Sequence, residues 1–186
     1  MLEDRLRDYD ATVVRAQPGQ IAAEIARILA ERGKRKLVVP AGLTEALGES
    51  LPASYVPPIA IMPAMDGAPE RSFDFTVDHG LTSAELDAFE GVLTASTLAI
   101  AETGTIVLQN VPGQGRRAPT LIPDYHLCIV RAADVVETVP EAMARLAATA
   151  SLATTFISGP SATADIEMTR IKGVHGPRFL DVVLVP

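Results

Sequence analysis

The chain has 186 residues, of which 48% are hydrophobic and only 4% are aromatic, and its net charge is −7. That length suits one domain, so we expect a single domain over residues 1–186, and a core of Ala, Val, Leu and Ile favours a helix-covered sheet over a barrel or sandwich. The acidic balance argues against nonspecific binding of nucleic acid, which requires a basic surface. With no apolar run long enough for a membrane span and no signal-peptide pattern, the sequence predicts a cytoplasmic protein.

Cysteine usage limits the redox chemistry of the chain. The single cysteine, Cys128, excludes an internal disulfide and a cysteine-ligated iron–sulfur cluster within this chain. Cys128 lies in a strand-like run, which predicts a buried and unreactive thiol. Because the sequence also lacks a dinucleotide fingerprint and a metal-binding His/Cys pattern, we expect no cofactor and no metal.

The first third of the chain predicts a parallel sheet. A short strand at residues 12–14 precedes a helix that opens at Pro18 and closes near Gly33, and residues 36–40 form a buried strand. Strand–helix–strand units of this kind build parallel sheets. Residues 48–72 contain five prolines, which predicts a loop-rich connection around one short strand.

The next segment predicts an edge strand followed by a short helix. Residues 73–78 alternate apolar and polar side chains, as expected at an edge or half-covered position. Thr82 with Glu85 three residues later fits a capping box, and the helix that follows carries Leu86 and Phe89 on one face.

The central stretch, AETGTIVLQNVPGQGRR at residues 101–117, holds the first candidate site. An apolar run at residues 92–100 leads to Glu102 and a Thr-Gly-Thr turn, and a β-branched run at residues 105–108 leaves that turn. A second turn at residues 112–115 ends in Arg116 and Arg117. Glycines let the backbone approach a ligand, and arginines suit carboxylates and phosphates. Alternatively, Glu102 caps a hairpin and the arginines are solvated.

The last third predicts a second candidate site. A strand at residues 125–130 is followed by a helix from Pro140, whose Met143, Leu146 and Ala147 spacing predicts a core-facing side. After a strand at residues 156–157, the run SGPSATAD at residues 158–165 predicts a turn into a helix whose free N–H groups would cradle an anion. The alternative is simple N-capping by Ser161. A final strand spans residues 180–185.

Loops that follow strands of a parallel sheet share one edge, where ligands bind, so we expect the candidate residues to converge. A lone histidine such as His175 is more often a structural hydrogen-bond partner. The candidate catalytic residues are Glu102 and His175, and the candidate ligand-binding residues are Thr103, Gly104, Gly113, Gly115, Arg116, Arg117, Ser158, Gly159, Ser161, Thr163, Lys172 and Arg178.

Five strings in this order, AETGTIVL, VPGQGRR, LIPDYHLCIV, FISGPSATADIE and KGVHGPR, resemble the lactate utilization protein C family, also called the LUD domain. The resemblance covers residues 73–186 closely and the first 70 residues only in general pattern. It implies an α/β fold, with a mostly parallel sheet flanked by helices, similar to the ribose-5-phosphate isomerase, glucosamine-phosphate deaminase and CoA-transferase group. It also implies a role in oxidising L-lactate to pyruvate beside two iron–sulfur partner proteins.

Three functions are compatible with the sequence. The first is a non-redox subunit or accessory protein of a lactate-oxidising assembly that binds a small carboxylate or phosphate-bearing ligand at the sheet rim. The second is a stand-alone enzyme of acyl transfer or sugar-phosphate isomerisation, in which Glu102 is base or nucleophile and Arg116, Arg117 and Arg178 hold an anion. The third is a regulatory or scaffolding domain. The family resemblance favours the first function. A fold alone does not determine a reaction, so membership of a family implies a pathway more firmly than a reaction.

Overall fold

The computed structural model describes residues 1–47, 73–164, 170–172 and 175–186, so the predicted loop at residues 48–72 lies outside the described residues. The helices are α1 (Leu2–Asp8), α2 (Ile21–Arg32), α3 (Leu43–Leu47), α4 (Ser83–Asp87) and α5 (Val139–Leu146). The strands are β1 (Thr12–Arg15), β2 (Lys36–Pro40), β3 (Asp74–Asp78), β4 (Gly91–Ala95), β5 (Leu98–Ile100), β6 (Thr105–Gln109), β7 (Tyr125–Arg131), β8 (Val135–Val136), β9 (Thr154–Ile157), β10 (Ala162–Ala164), β11 (Arg170–Lys172) and β12 (Phe179–Val185).

The main sheet is parallel throughout its described part. Its strand order is β1-β12-β7-β4-β2-β3, and each neighbouring pair runs in the same direction. The predicted α/β class with a mostly parallel sheet is therefore confirmed, and β3 lies at the edge of the described sheet as the alternating pattern of residues 73–78 predicted. All carboxyl ends of these strands point to one side, which we call the carboxyl edge.

A second sheet, with the order β8-β5-β6-β9, lies against the first. The predicted hairpin is present, since β5 and β6 pair in antiparallel register with Ile100 opposite Thr105. The apolar run at residues 92–100 does not form one strand. It breaks at Ser96 and Thr97, so β4 belongs to the main sheet and β5 to the second sheet.

Burial follows these layers. The apolar face of α2 (Ile21, Ile25, Ile28 and Leu29) covers one face of the main sheet, where it meets alternate residues of β7. The intervening residues of β7 face α1 and the second sheet, and α5 covers the far side of that sheet. Because β7 is buried on both faces, it reads as a continuous apolar run, as strands inside parallel sheets do.

Helix α5 presents a different face from the predicted one. Ala142 and Leu146 are buried, whereas Met143 is 53% exposed and Ala147 is also exposed. Thr138 and Glu141 form a capping box that starts the helix at Val139, and this start places the i and i+4 pair of Ala142 and Leu146 against the second sheet. The predicted core positions Met143 and Ala147 are therefore wrong, and Leu146 is confirmed. The capping box of Thr82 and Glu85 is also confirmed.

The segment after Gly159 is a strand and not the predicted helix. Residues 162–164 form β10, which pairs in antiparallel register with β11, Thr163 lying opposite Ile171. The partner strand comes from the Lys172 region, so the pairing depends on a contact that the local pattern cannot reveal. The predicted helix N-terminus, with its free N–H groups, is absent here from the described residues.

A polar network closes the opposite, amino edge of the main sheet. Arg32, at the end of α2, donates two hydrogen bonds to the Asp181 carboxylate at 2.8 and 2.6 Å. The hydroxyl of the fully buried Tyr125 donates to the same carboxylate at 2.9 Å, and burial raises the pKa of Tyr125. The Asp181 carboxylate thus accepts three hydrogen bonds from protein donors.

The longest described helix, α2, has 12 residues, and no helix in the described ranges is long and apolar enough to cross a bilayer.

The interface between β4 and β7 contains three buried polar side chains. The Thr94 hydroxyl lies 2.8 Å from His126 Nε2 and 3.6 Å from Cys128 Sγ. Burial lowers the pKa of His126 to about 4 and raises the pKa of Cys128 to about 12. The prediction of a buried, unreactive thiol is confirmed, because a thiol with this pKa holds its proton at neutral pH.

The neutral His126 makes stability depend on pH. Its folded-state pKa of about 4 lies below its ordinary value of 6.5, so between these values the unfolded chain binds more protons and stability falls as pH falls. Denaturant titrations at pH 7 and pH 5 should show a loss of about 2 kcal/mol in the wild type from this group. His126→Gln should lose correspondingly less over the same interval, and an equal loss in both proteins would contradict a buried neutral imidazole.

Candidate functional site

Part of the predicted site forms beneath α1, where the turn at residues 101–104 meets residues 158–159. The Thr105 hydroxyl lies 2.7 Å from both the Thr103 hydroxyl and the Ser158 hydroxyl. A Cβ on Gly104 would lie 2.7 Å from Arg5 Cβ, and one on Gly159 would lie 2.4 Å from Tyr9 Cβ. Both glycines also have positive φ angles. They therefore let α1 pack directly on the two turns. We call this region the α1 junction.

Glu102 lies at the same end of the hairpin and contacts another helix. Its side chain is exposed, and Oε1 accepts a hydrogen bond from the backbone N–H of Val139, the first residue of α5, at 3.2 Å. A carboxylate at a helix N-terminus satisfies a free N–H group and complements the helix dipole. The contact gives Glu102 a capping role in α5.

Ser161, His175 and Arg178 lie close together near the amino edge. The Ser161 hydroxyl accepts a hydrogen bond from the backbone N–H of His175 at 3.1 Å. Arg178 donates to both carboxylate oxygens of Asp124 at 3.1 and 2.6 Å, and these two residues directly precede β12 and β7. Thr163 and Lys172 lie in the β10–β11 ladder, where the structure describes their backbone pairing.

The second predicted turn lies at the carboxyl edge. The N–H of Gly113 donates to the carbonyl of Ala41 at 2.8 Å, and a Cβ on Gly115 would lie 2.8 Å from Pro40 Cβ. Arg116 donates to both carboxylate oxygens of Asp78, the last residue of β3, at 2.7 and 2.9 Å. This guanidinium lowers the pKa of Asp78.

The candidate residues therefore occupy three regions: the carboxyl edge, the amino edge and the α1 junction. Gly113, Gly115, Arg116 and the exposed Arg117 follow the carboxyl ends of β2, β3 and β4, whereas Arg178 precedes the amino ends of β7 and β12. The α1 junction lies at the start of β6, whereas Gln109 lies at the end of this strand. The five residues of β6 span about 17 Å. One ligand-sized pocket cannot contact all three regions.

The carboxyl edge contains a pocket of about 330 Å³ between the ends of the adjacent strands β4 and β7. We call it the carboxyl-edge pocket. Leu47, Val111 and Ile129 contribute apolar walls. Its polar lining residues are Ser96, Thr97, Gln109, Gln114, Arg131 and Asp134. A pocket of this size, with apolar walls and a few polar groups, has the typical features of a small-molecule site.

The orientation of the Gln114 amide is fixed by its neighbours. Gln114 Oε1 accepts a hydrogen bond from the backbone N–H of Gln109 at 2.7 Å and from the Thr97 hydroxyl at 2.8 Å. Because a backbone N–H can only donate, the atom facing it must be the carbonyl oxygen. The side chain is 8% exposed, and its Nε2 has no hydrogen-bond partner in the described ranges. No described side-chain nitrogen or oxygen is both buried and unpaired, and Gln114 is one of the residues that line the pocket.

Opposite charges complete the lining. Arg131 ends β7, is half-buried, and donates through Nη2 to the carbonyl of Ala46 at 2.5 Å. Its other N–H groups make no hydrogen bond or ion pair within the described part of the chain. Asp134, three residues later, ends a short 3₁₀ turn and is half-buried. Its carboxylate also makes no hydrogen bond or ion pair within the described part of the chain, and Asp134 lines the pocket. The pocket thus offers amide and guanidinium donors and one carboxylate acceptor.

Two larger clefts lie elsewhere on the molecule. One, of about 620 Å³, surrounds the end of α2 at the amino edge. There Arg32 is bound to Asp181, and Glu90 accepts two backbone N–H bonds. The other, of about 570 Å³, is lined by the two chain ends, where Glu3 pairs with Arg15. The carboxyl-edge pocket lies beyond the carboxyl ends of the adjacent parallel strands β4 and β7, where ligands of open parallel sheets bind, and we take it as the candidate ligand site.

Sequence reasoning missed Gln114, Arg131 and Asp134. Gln114 lies inside the predicted glycine turn, but the prediction of a ligand site was based on the glycines and on the arginines that follow Gln114. Arg131 and Asp134 directly follow the strand predicted at residues 125–130, and Thr97 follows β4. Polar residues just beyond the carboxyl ends of parallel strands were the available signal.

The Arg116–Asp78 pair should be a stability determinant. The Asp78 side chain is 5% exposed and Arg116 is 37% exposed, so Arg116→Gln should lower the free energy of unfolding by about 1–3 kcal/mol, because it leaves a nearly buried carboxylate without its cation. Arg117→Gln removes the same charge one residue later from an exposed side chain and should change stability by less than about 0.5 kcal/mol. Denaturant unfolding of both variants checks this, and equal effects would refute it.

Comparison with known proteins supports the fold and places the chain in a family. The profile of the LUD domain family matches residues 1–185. A lactate utilization protein C of Deinococcus radiodurans is 39% identical over 185 residues, covering 98% of this chain and 77% of that protein. One from Bacillus pumilus is 41% identical over 106 residues, covering 54% of this chain and 43% of that protein. The crystal structure of a DUF162 family protein from Deinococcus radiodurans superposes with a TM-score of 0.72 at 34% identity, covering 100% of this chain and 94% of that one. The chain belongs to the LUD domain family.

Proposed function

We propose that this chain serves lactate utilization as a non-redox subunit or accessory protein, which acts beside iron–sulfur proteins that oxidise L-lactate to pyruvate. The observation that carries the proposal is the 39% identity to a lactate utilization protein C along 98% of this chain. The single cysteine supports the division of labour, because a cluster held by thiolates needs several of them.

A small anionic ligand at the sheet rim is part of the same proposal. The carboxyl-edge pocket supports it, since ligands of open parallel sheets bind beyond the carboxyl ends of the strands. Arg131 supplies positive charge there, and Gln114 supplies an amide donor. The predicted Arg116 does not line this pocket, and its Nε and Nη2 donate to Asp78, so we assign the positive charge at this ligand to Arg131.

A growth experiment tests the proposed role. Deleting the gene from its source organism should abolish or strongly slow growth on L-lactate, and wild-type protein supplied in trans should restore it. Growth on pyruvate should be unchanged, because pyruvate is the product of the proposed step. Normal growth of the deletion strain on L-lactate, with no second copy of the gene present, would refute the proposal.

Affinity purification tests the partnership in the same strain. The tagged chain should copurify with proteins that contain iron and acid-labile sulfide, although the chain itself has one cysteine. Surface variant Arg145→Gln, on an exposed position of α5, provides a control for charge effects on recovery. Recovery of the chain without iron and sulfide, from cells grown on L-lactate, would contradict the partnership.

A further inference from the structure

The carboxyl-edge pocket presents three polar groups whose chemistry restricts the ligand. Gln114 Nε2 can only donate, because its carbonyl oxygen is already fixed by Gln109 and Thr97. The guanidinium of Arg131 can only donate, and the ionised carboxylate of Asp134 can only accept. A matching ligand therefore carries an acceptor group for the first two residues and a hydrogen-bond donor for the third.

The charges of the lining residues restrict the choice of ligand further. Arg131 and Asp134 contribute one positive and one negative charge to the lining, and neither has an ion-pair partner in the described ranges. An anionic group on the ligand would compensate Arg131, and a donor near it would satisfy Asp134. Arg131 and Asp134 line the same pocket, so one bound molecule can meet both requirements.

We propose that the carboxyl-edge pocket binds a 2-hydroxycarboxylate, whose carboxylate accepts hydrogen bonds from Gln114 Nε2 and Arg131 and whose hydroxyl donates to Asp134. This inference rests on the proposed function, which makes an organic acid the relevant ligand. The corresponding 2-oxo acid has the same carboxylate but places a second acceptor opposite the Asp134 carboxylate. Asp134 is thus a specificity residue that favours the hydroxy acid over the oxo acid.

The pocket also has room for a substituent on the 2-position carbon. Its volume of about 330 Å³ exceeds that needed by a three-carbon acid, and Leu47, Val111 and Ile129 offer apolar surface beside the polar groups. Longer 2-hydroxy acids should therefore bind as well as L-lactate or better.

Three ligands with one carbon skeleton test the inference: L-lactate, pyruvate and L-alanine. Binding to the purified full chain is followed by NMR titration, because ligands of six heavy atoms bind with dissociation constants of about 0.1–10 mM. L-Lactate should bind, and pyruvate should bind about tenfold more weakly. Pyruvate binding as tightly as L-lactate, or L-alanine binding most tightly, would overturn the proposal, the latter because it would indicate an amino-acid site.

Variants then assign the contacts. Gln114→Glu keeps an oxygen for Gln109 and Thr97 but replaces the free amide nitrogen by an oxygen, so at pH 8 L-lactate should bind about tenfold more weakly or worse. Arg131→Gln should act in the same direction. Asp134→Asn provides a side-chain amide donor, so it should remove the preference for L-lactate over pyruvate.

Matched controls separate these effects from unfolding and from bulk charge. Arg145→Gln and Asp87→Asn remove the same charges at exposed positions of α5 and α4 and should bind like the wild type. Backbone amide spectra establish whether each variant is folded. If Gln114→Glu does not fold, the loss of the preference for L-lactate over pyruvate in Asp134→Asn still tests the proposal. L-Lactate affinity that is unchanged in folded Gln114→Glu and Arg131→Gln would refute the assignment, as would the absence of binding by any 2-hydroxy acid.

The two proposals fail differently. If the chain supports growth on L-lactate and copurifies with iron–sulfur proteins but binds no 2-hydroxy acid in this pocket, only the ligand assignment is refuted. If the chain binds L-lactate with the expected variant pattern but is dispensable for growth on L-lactate, the proposed role is refuted and the binding site stands.

Discussion

The two hydrogen bonds to Gln114 Oε1 are the constraint on which the candidate site depends. They join the glycine turn at residues 112–115 to Thr97, which links the two sheets, and to Gln109 at the end of β6. Gly113 and Gly115 bring the turn against Ala46 and Pro40, where a Cβ would clash. The two donors thereby fix the carbonyl oxygen of a buried amide in a residue that lines the pocket. In the proposed site, the turn predicted as a ligand loop acts through Gln114.

The two edges of the main sheet differ in how their charges are used. At the amino edge, Arg32, Tyr125 and Asp181 satisfy one another, and Arg178 is paired with Asp124. Networks of this kind stabilise a fold because every buried polar group has a partner. At the carboxyl edge, Arg116 is paired in the same way with Asp78, whereas Arg131 and Asp134 flank an open pocket. Binding is therefore expected at the carboxyl-edge pocket, where these two side chains have no ion-pair partner among the described residues.

Much of the fold could be predicted because its signals are local. The helical spacing of Ile21, Ile25 and Ile28, the capping box at Thr82 and the apolar run of β7 each depend on residues near one another in sequence. The strand β10 could not be predicted from its own composition, because its partner β11 supplies the missing hydrogen bonds. The face of α5 was mispredicted for a related reason, since Ala142 counted for less than Met143 in a pattern based on hydrophobicity. The placement of a ligand at the edge of the sheet stays a prediction. The residues that line the carboxyl-edge pocket could not be named from the sequence, because the pairing of β4 with β7 brings them together.

The most direct test of the account observes the Gln114 side-chain amide itself. In an assigned ¹⁵N spectrum, the Nε2 protons of Gln114 should shift in a saturable way as L-lactate is added. Those of Gln20, an exposed residue directly before α2, serve as an internal reference, because Gln20 does not line the pocket. The account predicts a clearly larger shift at Gln114 than at Gln20. A saturable response confined to Thr103, Thr105 and Ser158, with Gln114 unchanged, would place the ligand at the α1 junction and contradict the account.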